Sequence, residues 1–161
     1  MAALLSSEVL ARIAKGVSVI VASRDAQLRP SLMRAVGSRI EEAGAAVTVY
    51  LSRRQSGQLL QDLAATGQVA AVFSVPSTHQ TVQLKASKVE LRPAGPEDVP
   101  VLQDYLAAME QEIQRVGFAP PLTRAMLAHR LDDVVAARFV PEQAFDQTPG
   151  PRAGAALGTP P

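Results

Sequence analysis

Apolar residues recur along this chain with two different periods, and the switches between them set the order of elements. Val9, Leu10, Ile13 and Ala14 fall at helical spacing behind Ser6 or Ser7, either of which can cap the helix, and Gly16 stops it. Val17–Arg24 is a β-branched run, apolar on both faces, and predicts a largely buried strand. Asp25–Gln27 is the turn, Pro30 to about Ile40 predicts the returning strand, and Gly44 marks another turn. Ala45–Leu51 predicts a third strand with Val47, Val49 and Leu51 on one face. Helical spacing returns over Gln55–Ala65, with Leu59, Leu60 and Leu63 on one side and Gly67 at the end. Val69–Val75 predicts a fourth strand, stopped by Pro76. In His79–Leu91 the apolar set is even-numbered at Val82, Leu84 and Ala86, then odd at Val89 and Leu91. That change of phase predicts a bulge or sharp bend near Ser87, the device that curls a sheet into a barrel. A longer helix follows over Glu97–Arg115, striped by Leu102, Leu106, Met109 and Ile113, with Pro100 tolerated in its first turn. Leu122–Leu131 predicts a shorter helix and Val134–Val140 a strand. Thr148–Pro161 is aperiodic and rich in Pro and Gly, a tail that orders only by docking. The sum is an α+β protein: an antiparallel barrel of about six strands with flanking helices. Residues 1–150 form its one domain and 151–161 its tail.

Composition narrows the chemistry. The chain has 161 residues, 47% hydrophobic and 19% charged, which suits one folded domain rather than a disordered segment. A net charge of +1 gives no field to recruit nucleic acid or anionic lipid, so neither is an expected partner. No apolar run approaches the ~20 residues that span a bilayer. Without Cys there is no disulfide framework, thiol catalysis or zinc–thiolate site, and two His leave little scope for a metal centre. Too few residues precede Ser6 for a secretory signal, so a cytoplasmic location is expected. The basic residues are 13 Arg and 3 Lys in a chain rich in Ala, Pro and Gly. That bias lowers the weight of any single Arg. With 4% aromatics and no Trp, stacking platforms are scarce.

The self-contained catalytic signatures are missing: no nucleophile elbow, no phosphate-binding loop, no dinucleotide glycine fingerprint and no His-Glu-x-x-His. His79 and His129 lie far apart without a carboxylate pattern, and His129 beside Arg130 reads as a surface residue. A fold that borrows its reactive atoms from a cofactor suits such a chain.

Three segments carry a resemblance. Arg29-Pro-Ser-Leu-Met-Arg34 resembles an Arg-x-x-Leu-Leu-Lys strand, Thr48-Val-Tyr-Leu-Ser-Arg-Arg54 a Thr-Asn-x-x-Ser-Arg-Lys strand and turn, and Gln80-Thr-Val-Gln-Leu-Lys-Ala86 an Arg-Gln-Val-x-Val-x-Gly strand. In that order they resemble the FMN-binding split barrel of the pyridoxamine 5'-phosphate oxidase family, over roughly Ser18 to Leu91. The resemblance implies that Arg29, Arg53 and Arg54 hold the FMN phosphate, with Thr48 and Ser52 adding hydroxyl or backbone contacts. Guanidinium groups suit a phosphate, which they bind by charge-assisted, often bidentate bonds. From the residues alone, Arg53 and Arg54 read as a solvated turn before a helix. Arg34 is five residues from Arg29, hence on the opposite strand face, and the resemblance gives it the substrate. As a bare residue it is an exposed barrel position. His79, Thr81, Gln83 and Lys85 share one strand face that needs either solvent or a ligand. Thr81 stands where the family has a flavin-bonding Gln, a departure that Gln83 or Gln80 could make good.

The resemblance therefore implies an FMN-binding homodimer acting on a small molecule as a flavin-dependent oxidoreductase. A non-catalytic flavin carrier or sensor, and a related barrel holding haem or a deazaflavin, stay open. A haem would draw its ligand from His79, His129, Met or Tyr. Pyridoxamine 5'-phosphate oxidase activity itself is not expected. The family's oxidases carry a C-terminal Trp and an Arg-x-Arg-Leu-type segment, absent from Val134–Val140 and Phe145–Arg152.

Overall fold

The computed structural model describes residues 4–41 and 44–158. Helix α1 (Ser7–Ile13) starts at Ser6, whose hydroxyl accepts from the Val9 N–H at 3.3 Å. Ten strands follow among the described residues: β1 (Ser18–Arg24), β2 (Pro30–Arg34), β3 (Gly37–Glu41), β4 (Ala46–Ser52), β5 (Val69–Ser74), β6 (Thr81–Ala86), β7 (Glu90–Pro93), β8 (Val134–Phe139), β9 (Gln143–Asp146) and β10 (Ala156–Leu157). Helix α2 (Gly57–Thr66) joins β4 to β5, and α3 (Val99–Arg115) and α4 (Pro120–Met126) join β7 to β8. All strand pairs are antiparallel, in a six-stranded sheet ordered β10-β9-β6-β5-β1-β2 and a four-stranded sheet ordered β3-β4-β8-β7.

The strand count exceeds the expected six by four: two runs read as continuous strands are each divided between the sheets, and β9 and β10 form in the segment after Val140 that the pattern left without strands. Pro30–Ile40 breaks at Ala35–Val36. The Ala35 N–H still bonds Val19 at 2.9 Å, whereas the next N–H, of Val36, bonds Tyr50 of the other sheet at 2.8 Å. His79–Leu91 breaks between Ala86 and Glu90, where the change of apolar phase places a bend. The bend is a transfer from one sheet to the other, so both halves keep their apolar residues toward one interior.

That interior holds Val19 and Val21 of β1, Val47, Val49 and Leu51 of β4, Phe73, Leu84 and Phe139, closed by Leu59 and Leu63 of α2 and Met109 of α3. β4 is buried along its whole length. Its second face meets α3 through a smaller cluster of Val36, Tyr50, Leu102, Val134 and Ala136. β1, by contrast, alternates: Val19, Val21 and Ser23 are buried, while Ser18, Ile20 and Ala22 are half-buried. The expectation that both its faces are covered is corrected by that alternation.

Three further boundaries move. Residues Pro96–Asp98 form a 3-10 turn, so α3 starts at Val99 rather than Glu97; the Asp98 carboxylate there accepts from the Gly95 N–H at 2.9 Å. α4 ends at Met126, short of Leu131, and Leu131–Asp133 is a separate 3-10 turn aligning the chain with β8. The C-terminal segment read as a tail returns to the sheet: Ala156 and Leu157 pair with Phe145 and Ala144. No helix among the described residues is long and apolar enough to cross a membrane.

Candidate functional site

The turn between β4 and α2 already holds an oxyanion. Pairing of β4 with β8 sets Ser52 opposite Val134 and so brings Asp133 beside the turn. The buried Ser52 hydroxyl donates to one Asp133 carboxylate oxygen at 2.7 Å, and the Arg54 N–H donates to the other at 3.2 Å. The ladder runs one step further, the Arg53 N–H donating to the Asp133 carbonyl at 2.7 Å. The side chains of Arg53 and Arg54 are exposed, and neither forms an ion pair among the described residues. Ser56, the residue before α2, is buried at 2% exposure and its hydroxyl has no partner. Ser52 and Arg54 open onto a cavity of about 550 Å3, lined also by Gln55, His129, Asp133 and the Arg130–Asp132 ion pair. The positive end of the α2 dipole favours negative charge here. His129 donates to the Leu127 carbonyl through Nδ1 at 2.9 Å, so that in the neutral ring Nε2 is the acceptor.

Arg29 and Thr48 stand apart from this turn. Asp25 gathers the Gln27 and Arg29 N–H groups on one oxygen, at 2.9 and 3.0 Å, and the Arg29 guanidinium on the other at 2.7 Å. The Arg29 N–H and guanidinium hold the Asp25 carboxyl below its ordinary range. Arg29 thus secures its own hairpin. Ser31, two residues on, bonds Asp62 in the second half of α2 at 2.6 Å, whereas Arg53 and Arg54 precede that helix. Asp62 lies five residues into the 10-residue α2, about 8 Å along its axis from the turn. Thr48 is buried and donates to Glu41 at 3.2 Å, and Glu41 also pairs with Arg138 at 3.1 Å. Along β4 it lies roughly 13 Å from Ser52.

Arg34, Thr81 and Gln83 occupy the outer face of the six-stranded sheet. Cross-strand pairing places Arg34, Ile20, Val72, Gln83 and Phe145 in one row and Leu32, Ala22, Ala70 and Lys85 in the next. Arg34 bonds the Ser18 hydroxyl, Thr81 shares a hydrogen bond of 2.8 Å with Ser74, and Gln83 accepts from Gln147 at 3.3 Å. The Lys85 ammonium lies 5.0 Å from the Phe145 ring centre. Ile20, Ala22, Leu32, Ala70, Val72 and Phe145 belong to neither core cluster among the described residues. This face is apolar at its middle, rimmed by Arg34, Gln83 and Lys85, and outside the barrel's own core.

The sequence-predicted residues therefore fall into separate groups: Ser52, Arg53 and Arg54 at the turn, Arg34, Thr81 and Gln83 on the outer face, and Arg29 and Thr48 in local pairs. Asp133 and Phe145 were not legible as site residues. Asp133 stands in the plain run Leu131-Asp-Asp-Val134, and only the β4–β8 register brings it to Ser52.

No protein-family model and no curated protein sequence matches the chain. Solved structures do. HupZ from Group A Streptococcus aligns with a TM-score of 0.56 at 13% identity, covering 93% of this chain and 100% of its own. An F420 reductase aligns at 0.52 and 12% identity, covering 84% and 94%. A candidate pyridoxamine 5'-phosphate oxidase from Lactobacillus delbrueckii aligns at 0.50 and 14% identity, covering 88% and 93%. At such identities the likeness is one of fold, and it agrees with the two linked antiparallel sheets and their flanking helices. The chain has the split-barrel fold of the pyridoxamine 5'-phosphate oxidase-related proteins.

Proposed function

We propose that this protein binds FMN and works as a homodimeric, flavin-dependent oxidoreductase. One observation carries the reading: the β4–α2 turn holds an oxyanion on Ser52 and the Arg54 N–H, beside two guanidinium groups without ion-pair partners among the described residues. The donor set fits a phosphate in kind, since hydroxyl, N–H and guanidinium groups all donate to it and Arg53 and Arg54 offset its charge. FMN, once bound, supplies hydride or electron transfer at its ring. The chain's own residues bind and orient it. Ser52, Arg53 and Arg54 take the phosphate, and Gln83, whose amide both donates and accepts, addresses the ring edge, with Thr81 beside it. Arg34 takes the substrate.

The uncovered outer face supports a second copy as the partner. A single small barrel covers only part of a flavin, and two copies related by a twofold axis enclose one from both sides. Burying the row of Ile20, Val72 and Phe145 would remove apolar surface that the core leaves outside. Pyridoxamine 5'-phosphate is not the substrate this reading expects. Arg138 is paired with Glu41 in the four-stranded sheet, Arg34 lies in the other sheet, and Arg152 is 86% exposed. They converge on no second phosphate.

Titrating the protein with FMN and riboflavin tests the reading. FMN is expected to bind at least tenfold tighter, since one charge-assisted bond is worth about 1.5–3 kcal/mol. Equal affinities overturn the phosphate assignment. Haem is the second reading, favoured by the acceptor Nε2 of His129 in the same cavity. A Soret band after addition of haemin, lost in His129→Ala, would select it.

A further inference from the structure

We propose that Asp133 is an internal competitor for the anion cradle and so sets which ligands the cradle accepts; this rests on the flavin reading above. Its carboxylate occupies the two inward donors, the Ser52 hydroxyl at 2.7 Å and the Arg54 N–H at 3.2 Å. The backbone beneath it is held on both sides. The Asp133 carbonyl accepts from Arg53 at 2.7 Å, its N–H donates to Arg130 at 3.0 Å, and the β8 ladder starts at the next residue. An incoming anion therefore displaces only a side chain, by rotation about Cα–Cβ, and the displaced carboxylate stays at the rim of the same cavity.

Two consequences follow from charge. A ligand carboxylate gains nothing by entering, because it only replaces the carboxylate already seated. A phosphate ester carries nearly two charges and three free oxygens, so it can take both inward donors and still engage the guanidinium groups of Arg53 and Arg54. The displaced Asp133 opposes it as a like charge at close range. Asp133 thus excludes carboxylates and weak anions and lowers the affinity for phosphate at the same time. Removing its charge relaxes the selectivity and tightens the phosphate.

Asp133→Asn keeps the side-chain shape and an acceptor oxygen while removing the charge. Calorimetry with FMN and with riboflavin, on the full-length wild type and this variant, is run beside thermal melts in inorganic phosphate against chloride at equal ionic strength. FMN is expected to bind about tenfold tighter to the variant, with riboflavin unchanged, because only the phosphate meets the removed charge. FMN binding to both proteins with the same affinity overturns the role of Asp133 and leaves the flavin reading standing. Should neither protein bind FMN while inorganic phosphate stabilises the variant more than the wild type, the flavin reading falls and the competitor role holds. Phosphate and FMN both without effect on the variant overturn both. Asp133→Ser repeats the series if the Asn variant does not fold.

Discussion

Asp98 shows how much one side chain does in this fold. Its carboxylate accepts from the Tyr50 hydroxyl at 2.8 Å, from two Arg92 nitrogens at 2.7 and 2.8 Å and from the Gly95 N–H at 2.9 Å, and it is 2% exposed. These bonds tie the start of α3 to β4 and β7. The Arg92 hydrogen bonds, aided by Gly95 and Tyr50, hold the carboxyl well below its ordinary value of 3.8 despite burial. Asp98→Ala strips several donors of their acceptor at once and is expected to cost about 3 kcal/mol, read by urea denaturation. Because the folded carboxyl is the stronger acid, its stabilisation is complete above the ordinary carboxylate range and is lost as pH falls below it. The wild type should therefore lose stability on acidification from about pH 5 more steeply than Asp98→Ala does. Parallel slopes would show that Asp98 contributes no charge-dependent stability. In the sequence, Glu97 and Asp98 read as the first residues of a helix. The acceptor role was hidden because Tyr50 and Arg92 reach it from other strands.

The elements were legible where one local rule decides them. Alternation located β4, β5 and β6, and the spacing of Leu59 and Leu63 located α2. The passage of single runs between two sheets was not legible, since Ala35 and Val36 carry no breaker residue and the exchange of partners is a tertiary event. The phase change at Ser87 did leave a trace, because side-chain alternation records which face is buried. The two ends of α2 make opposite predictions. Gly67 follows the helix at φ 69°, and an added Cβ would lie 2.7 Å from the Ser87 carbonyl oxygen. Gly67→Ala should destabilise by about 2 kcal/mol. Gly57, in the first turn, has open space around its Cβ position, and Gly57→Ala should stabilise by roughly 0.5–1 kcal/mol. Thermal melts of the two variants check both signs, and a stable Gly67→Ala would refute the close approach of α2 to the β6–β7 crossing.

At the scale of the whole molecule, the proposed site has two halves, one at the end of β4 in the four-stranded sheet and one on the outer face of the six-stranded sheet. The β4–α2 turn supplies charge, and the outer face of the six-stranded sheet supplies a flat, partly apolar surface ringed by Arg34, Gln83 and Lys85. The first half was readable from Ser52-Arg-Arg54 because the motif is contiguous. The second was readable only in part, as the polar alternation of Thr81, Gln83 and Lys85, since Phe145 and Ile20 join that face through pairing of distant strands. A homodimer that places one copy's turn against the other copy's sheet would unite them. Replacing Val72 by Glu, at the middle of the outer face, should shift the protein to single chains that stay folded, with a melting temperature lower than the dimer's and independent of concentration, because Val72 lies outside the core of each chain. The most direct test is sedimentation of the FMN-loaded protein, followed both at the flavin's visible band and at the protein's own absorbance. For the wild type, the flavin should move with a species of two chains; for Arg53→Ala/Arg54→Ala, the two-chain species should persist without it. Flavin that travels equally with the double variant, or with single chains, would contradict the account.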